Sequence, residues 1–355
     1  MIPYVEIRDK YTLNMIAIVE PQECWFELSY QDVGECEIYC RATKENIKAL
    51  QKGNYVLIPN KRFVWVITGK RYTFSAGGAR MIIASGYEAK WLLKKRCILS
   101  PKELQGTITN AVYGLVSDNM GNTASAARKI DGFTVDTNNL LIDISGTQAA
   151  RGNLKEFVTP LLKSYNCGSS VIFENGTLKY TIFTGNIKTS SVKFSQSLDN
   201  LLSSEYLTDD AEKATNALVV STIDNVDYTQ THDTGAVGID RAEIIVSSNL
   251  STKYEDANGE EKETTPDSDL YKGWQIAEGK NALTEHITKE EINGEIDIAN
   301  SNYKFDVDFF IGDTVKIQDE YFDFSQNVLI SKYTIKQDSG GYGEESEYGG
   351  INNGN

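Results

Sequence analysis

The chain has 355 residues, 40% of them hydrophobic and 10% aromatic, and 50 Asp and Glu against 35 Lys and Arg give it a net charge of −15. Such a composition excludes a disordered chain, and its acidity makes it a poor candidate for gripping nucleic acid, though it suits a channel through which DNA slides in transit. The length predicts two to four domains, and no apolar run long enough to span a membrane is present.

Residues 1–10 lack the charged-then-apolar pattern of a signal peptide, so neither export by that route nor membrane insertion is expected. With six Pro in the chain and no Pro- or Ser-rich linker, the domains are expected to pack against one another. Five cysteines, Cys24, Cys36, Cys40, Cys97 and Cys167, include no Cys-x-x-Cys pair, and there are two His, His232 and His286. Reduced thiols made in a cytoplasm are therefore expected, with no metal site and no cofactor.

Residues 1–99 read as a first small β-barrel. Strand-like runs at 11–18, 24–30, 35–40, 55–58, 63–71 and 79–87 are bounded by Gly, Pro and Asn, and Thr43 caps a short helix through Ile47 and Leu50 that stops before Gly53. Residues 100–206 read as an α+β insert. Ser100-Pro101-Lys102-Glu103 has the form of a capping box, and Leu104, Ile108, Val112 and Leu115 follow at helical spacing to Gly121. A strand at 139–144 precedes a helix over 154–165 that Pro160 is expected to kink or delay, and Asn175-Gly176 turns a hairpin between 170–174 and 177–183.

Residues 207–339 read as a second small β-barrel, with strands at 217–223 and 239–247, a charged tip at 256–261, and a helical insertion near 270–290 around Trp274, Ile276, Leu283 and Ile287. Its closing corner alternates through Phe305, Val307 and Phe309, turns at Gly312-Asp313, and continues through Val315 and Ile317 to a partner strand at 328–336. The Gly- and Glu-rich residues 340–355 read as a flexible tail.

Charge is unevenly spread. Residues 51–100 carry ten Lys and Arg against one Glu, whereas 251–300 carry thirteen Asp and Glu against five Lys. Two docking faces are one reading of this and two solvated faces the other. Candidate interface residues are Lys61, Arg62, Arg71, Arg80, Lys94, Lys95 and Arg96 on the basic side, with Asp306, Asp308 and Asp313 at the corner.

Catalytic patterns are scarce. No Gly-x-Ser-x-Gly elbow, His-Glu-x-x-His or phosphate loop occurs, and His232 and His286 read as isolated surface residues. Asp306 and Asp308, at alternating strand positions, could serve a glycosidase in principle, but an exposed or intersubunit role suits them better. No catalytic residue is assigned.

The order of these pieces resembles the hub proteins of long-tailed, siphovirus-type phage tails, including the structural region of tail-associated lysins. Trp25, Phe26 and Tyr30 lead to Gly34 to Ile38, a helix, Ile58-Pro59, 64–69 and the Leu92-Leu93…Arg96 element. Tyr180…Gly185, Phe194-Ser195, Leu198…Leu201, Tyr206 and the Gly312-Asp313 corner then follow in the family's order. Where the family often has an acidic-Arg pair after the Gly, this chain has Asn186-Ile187-Lys188, which puts an inherited salt bridge in doubt.

The resemblance implies a mainly β protein, two barrels flanking a helix-and-hairpin domain, in a non-enzymatic homotrimer that closes the tail tube. It implies a tail tube or distal tail protein above, a tape-measure protein, and a tip or fibre protein below, at the tip of a virion tail assembled in the host cytoplasm. By the same resemblance, the chain is expected to stop where longer hubs begin their extensions. A cell-wall lysin or a host-receptor or carbohydrate-binding tail protein are the other readings.

Overall fold

The computed structural model describes residues 2–74, 78, 80–296, 301–319 and 324–349. The fold is mainly β, with four α-helices among the described residues: α1 (Lys44–Ala49), α2 (Ile108–Met120), α3 (Leu154–Ser164) and α4 (Asp269–Leu283).

Two separate barrels are not what forms. The described strands of both β-rich regions join one 13-stranded sheet that runs as an open path. The strands at Leu201–Asp209 and Met15–Val19 lie at its two ends. The joint is the long strand Phe324–Asp338, whose Lys332–Gln337 segment pairs antiparallel with Cys24–Ser29. Alternation along a strand says which face is buried, not which strand lies alongside. Here the strand that would have closed the second barrel crosses some 300 residues of sequence to pair with the first region.

The run through Tyr55–Leu57 and Val64–Ile67 is apolar at consecutive positions because both faces of the sheet are covered there. Val56, Trp65 and Ile67 enter a core with Phe26, Ile38, Phe305 and Tyr333. Tyr55, Leu57, Val64 and Val66 enter a second core with α2, α3 and the hairpin Gly168–Glu174/Thr177–Phe183. The insert thus completes its core on the sheet. Its hairpin turns at Asn175-Gly176, both left-handed, as the sequence predicts.

Several local expectations shift. The predicted helix from residue 100 begins at Ile108, capped by the Thr107 hydroxyl. Lys102–Leu104 is instead a strand paired with Thr147–Ala149. A left-handed Gly106 separates the two, which helical spacing from Leu104 did not reveal. The 139–144 segment is not a strand, although Asp143 makes one isolated bridge to Thr107. α3 passes through Pro160, held by the buried Leu154, Val158, Leu161 and Leu162 on one face.

Residues 207–339 are not a single unit. Asn216–Ile223, Val226–Asp233 and Glu243–Ser247 form their own three-stranded sheet under α4. Gln275 of α4 donates to Ser221 Oγ (3.0 Å) and to the Tyr228 carbonyl (2.8 Å). The strands at Leu201–Asp209, Lys289–Ile296 and Thr314–Asp319 return to the large sheet. Nor is 340–355 wholly a loose tail. Gly341–Gly349 pairs on both sides, with Leu329–Asp338 and Glu291–Ile296, because its Tyr342, Ser346 and Tyr348 alternate as a strand despite the Gly and Glu between them. Residues 350–355 lie outside the described set, as does Ala79 of the predicted strand.

Candidate functional site

The Gly312-Asp313 corner is the place where the β-rich regions meet the insert, but its geometry differs from the prediction. Phe305, Val307 and Phe309 do not alternate along a strand. Residues 304–309 form a tight turn with Asp306 at φ 65°. Phe305 and Phe309, four apart, point inward, while Val307 is 76% exposed. The Phe305 ring stacks on Tyr333 at 3.8 Å. Three apolar residues two apart fit a strand and a turn equally well, and burial decided for the turn.

Past the turn, Gly312 takes φ +88° under the ring of Tyr30, and Gly185 lies against the Gly312 backbone. Asp313, 3% exposed, accepts from Asn186 N (2.7 Å) and Asn186 Nδ2 (3.3 Å) at one oxygen and from Phe310 N (2.9 Å) at the other. Asn186, which departs from the family's acidic-Arg pattern, thus finds its partner in Asp313. An Asp313→Ala chain leaves two part-buried backbone N–H groups, those of Asn186 and Phe310, without this acceptor. It is expected to lose about 2 kcal/mol in urea unfolding, and a loss under 0.5 kcal/mol would mean that the carboxylate does not hold the corner.

A second joint lies nearby. Glu88, at the end of Met81–Glu88, and Lys90 are both buried and 3.4 Å apart. Lys90 Nζ donates to the carbonyls of Ser29 (2.5 Å) and Ser169 (2.8 Å), and Glu88 accepts from Ser170 Oγ (2.9 Å). The pair thereby ties the strands Glu23–Ser29 and Met81–Glu88 to the insert's hairpin. Burial pushes the Glu88 carboxyl up and the Lys90 ammonium down, each opposed by the other's charge. Sequence reading passed over both residues. The available signal was that Glu88 is the one acid in the basic residues 51–100.

The predicted interface residues fall into two sets. Arg62 and Asp306 pair with each other at 3.2 Å, with the guanidinium beside the Phe63 and Phe310 rings, and Lys61 sits over Phe305. Asp308 accepts from its own turn at Lys304 N (2.8 Å), and Asp313 is the buried anchor already described. Asp306 and Asp308 are thus engaged separately and are not arranged as an acid/base couple. Arg96 is also occupied, donating to the Arg128 carbonyl through Nε (2.9 Å) and Nη2 (2.6 Å).

Arg71, Arg80, Lys94 and Lys95 remain on the surface. Arg80 lies over Phe74, and Lys95 over Trp91. None of the described ion pairs joins the basic residues 61–96 to the acidic 251–296.

Among the described residues no three His, Cys, Asp or Glu gather where they could hold a metal ion, and no helix is long and apolar enough to cross a membrane. His232 and His286 are each half-buried. Cys24, Cys36, Cys40 and Cys167 are buried free thiols and Cys97 an exposed one. Burial raises Cys24 and Cys167 to about 12. What the arrangement provides is a rigid joint, with two edges of a large sheet left open.

No curated protein matches the chain by sequence. Three solved structures share its fold end to end. They are a tail protein from Neisseria meningitidis MC58 (TM-score 0.58, 10% identity, 98% of this chain and 96% of that one), the 43 kDa tail protein of prophage MuSo2 from Shewanella oneidensis (0.54, 12%, 97% and 98%), and prophage tail protein gp18 from Listeria monocytogenes EGD-e (0.50, 12%, 99% and 95%). The family described as Siphovirus ReqiPepy6 Gp37-like protein matches residues 4–346. With nearly its whole length covered by that match, the chain belongs to the Siphovirus ReqiPepy6 Gp37-like protein family.

Proposed function

We propose that the protein is the structural hub of a long-tailed phage's tail tip. In this reading three copies form a ring that closes the tail tube, joins it to the tip, and leaves a channel for DNA. The observation that carries the reading is the fold shared along the full length of both chains with tail proteins. The joined sheet adds support, since fusing two β-rich regions through Lys332–Gln337 and Cys24–Ser29 makes one stiff body of the kind a ring needs. The role is taken to be non-enzymatic. Its partners are a tail tube or distal tail protein above, the tape-measure protein, and a tip or fibre protein below. Arg71, Arg80, Lys94 and Lys95 are proposed to face such neighbours, and the protein is placed at the virion's tail tip after assembly in the host cytoplasm.

Light scattering and negative-stain averages of the purified chain test this. A trimeric ring with a central hole is the expected result. A stable monomer that degrades peptidoglycan, with activity lost on replacing one Asp or Glu, would replace the hub by a lysin.

A further inference from the structure

The large sheet ends in two open edges of opposite character. At one end Met15–Val19 pairs with Val5–Arg8 alone. The strand has no charge and no Pro, and Met15, Ile16 and Ile18 are exposed. Natural sheets blunt their edges with charges, Pro or covering loops, and an uncharged β-branched edge left bare invites pairing with another strand. Beside it runs a groove of about 900 Å³ floored by Ile16 and Ala17 and lined by Lys10, Lys48, Lys52 and Lys70. None of these four lysines has a carboxylate partner among the described ion pairs. Two acids, Asp9 and Glu45, share the rim, and Asp9 accepts from the backbone of Tyr11 (3.0 Å) and Thr12 (2.9 Å) in its own turn, so four lysines face two carboxylates and the groove stays net positive.

At the other end Leu201–Asp209 pairs only with Lys289–Ile296. From residue 202 its described side chains are exposed on both faces, including Leu202, Tyr206 and Leu207. This edge is acidic, with Glu205 and Asp209 on the strand and Glu212 just beyond. A strand exposed on both faces gains little from burial and is stabilised by pairing with a further strand. Here it ends a sheet whose other end offers a strand edge, apolar side chains and positive charge.

We infer that the two ends meet between copies: the acidic strand Leu201–Asp209 of one protomer adds to Met15–Val19 of the next, with Glu205 and Asp209 facing the lysine groove. The contact is head-to-tail, so it propagates around a ring and closes when the rotation allows. Opposite charges at the two ends disfavour like-to-like pairing of either edge with itself. This deepens the hub reading and rests on it, because it names the surfaces by which the ring would close.

The test uses the full chain in three forms, followed by sedimentation or light scattering over a concentration series. Lys48→Glu with Lys52→Glu reverses one edge, Glu205→Lys with Asp209→Lys reverses the other, and a third chain carries all four changes. Each reversal alone is expected to weaken self-association by about tenfold or more, and the combined chain to recover to within about threefold of the parent. All four residues are exposed, so folding is not at stake. In a Cys97→Ser background, a chain carrying Ile18→Cys and Leu207→Cys is expected to give a disulfide-linked ladder under mild oxidation. A trimer that neither reversal weakens and that gives no ladder overturns this inference and leaves the hub reading standing. A parent chain that stays monomeric at every concentration overturns both.

Discussion

A Gly185→Ala chain is expected to lose about 3 kcal/mol or more of folding stability, read as a fall in the urea midpoint at unchanged slope. A Cβ built on Gly185 falls 1.6 Å from the Gly312 carbonyl oxygen and 2.1 Å from its carbon. Those are backbone atoms, so no rotamer change relieves the overlap. The two backbones can part only if Asn186 leaves Asp313, or if Gly312 leaves its place under the Tyr30 ring, where a left-handed φ of +88° already excludes most residues. Gly114→Ala is the control. Gly114 lies inside α2 with nothing within 4 Å of its added carbon, and the same substitution there is expected to gain about 0.5–1 kcal/mol from helix propensity. Equal midpoints for the two variants would show that the corner is not packed as described.

Removing Lys90 is expected to cost about 3–5 kcal/mol, because Lys90→Ala leaves Glu88 charged and buried with only neutral donors. The pair itself contributes little net stability, since desolvating both charges offsets most of their attraction. Replacing both residues with Leu is therefore expected to recover part of the loss. Recovery is incomplete because the Ser29 and Ser169 carbonyls still lack the donor that Lys90 supplied.

The sign of the pH dependence follows from the same burial. Desolvation raises the Glu88 carboxyl, and losing the Lys90 charge removes the largest influence pulling it down. A group raised in the folded state contributes stability that is full below the unfolded carboxyl range, near 4.3, and is lost as pH rises through the folded value. The Lys90→Ala chain should therefore be less impaired at pH 5 than at pH 8, whereas an identical deficit at both would place Glu88 in contact with solvent.

Local sequence suffices for the β-rich character, the Asn175-Gly176 hairpin and the Thr43-capped helix. The hairpin and the cap are each written within a few neighbouring residues, in a turn that needs positive φ and a cap that needs a hydroxyl. It also carried an ordered set of weak motifs that pointed to a siphovirus family, as the match over residues 4–346 bears out.

Tertiary structure alone decided the partners. That Cys24–Ser29 lies beside Lys332–Gln337, making one open sheet from what read as two barrels, depends on contacts more than 300 residues apart that leave no local trace. The corner shows the same limit at short range. Phe305, Val307 and Phe309 carry a strand's alternation, yet only Phe305 and Phe309 meet a core, and Asp306 takes the left-handed conformation that turns Val307 outward. Burial also recast the charges. Asp313 read as a surface acid until Asn186 and Phe310 proved to enclose it, and Glu88 and Lys90 passed as ordinary polar residues until the insert folded over them. Local patterns record what a segment can become. Which water is excluded, and therefore which charge must find a partner, is settled only when distant segments close around it.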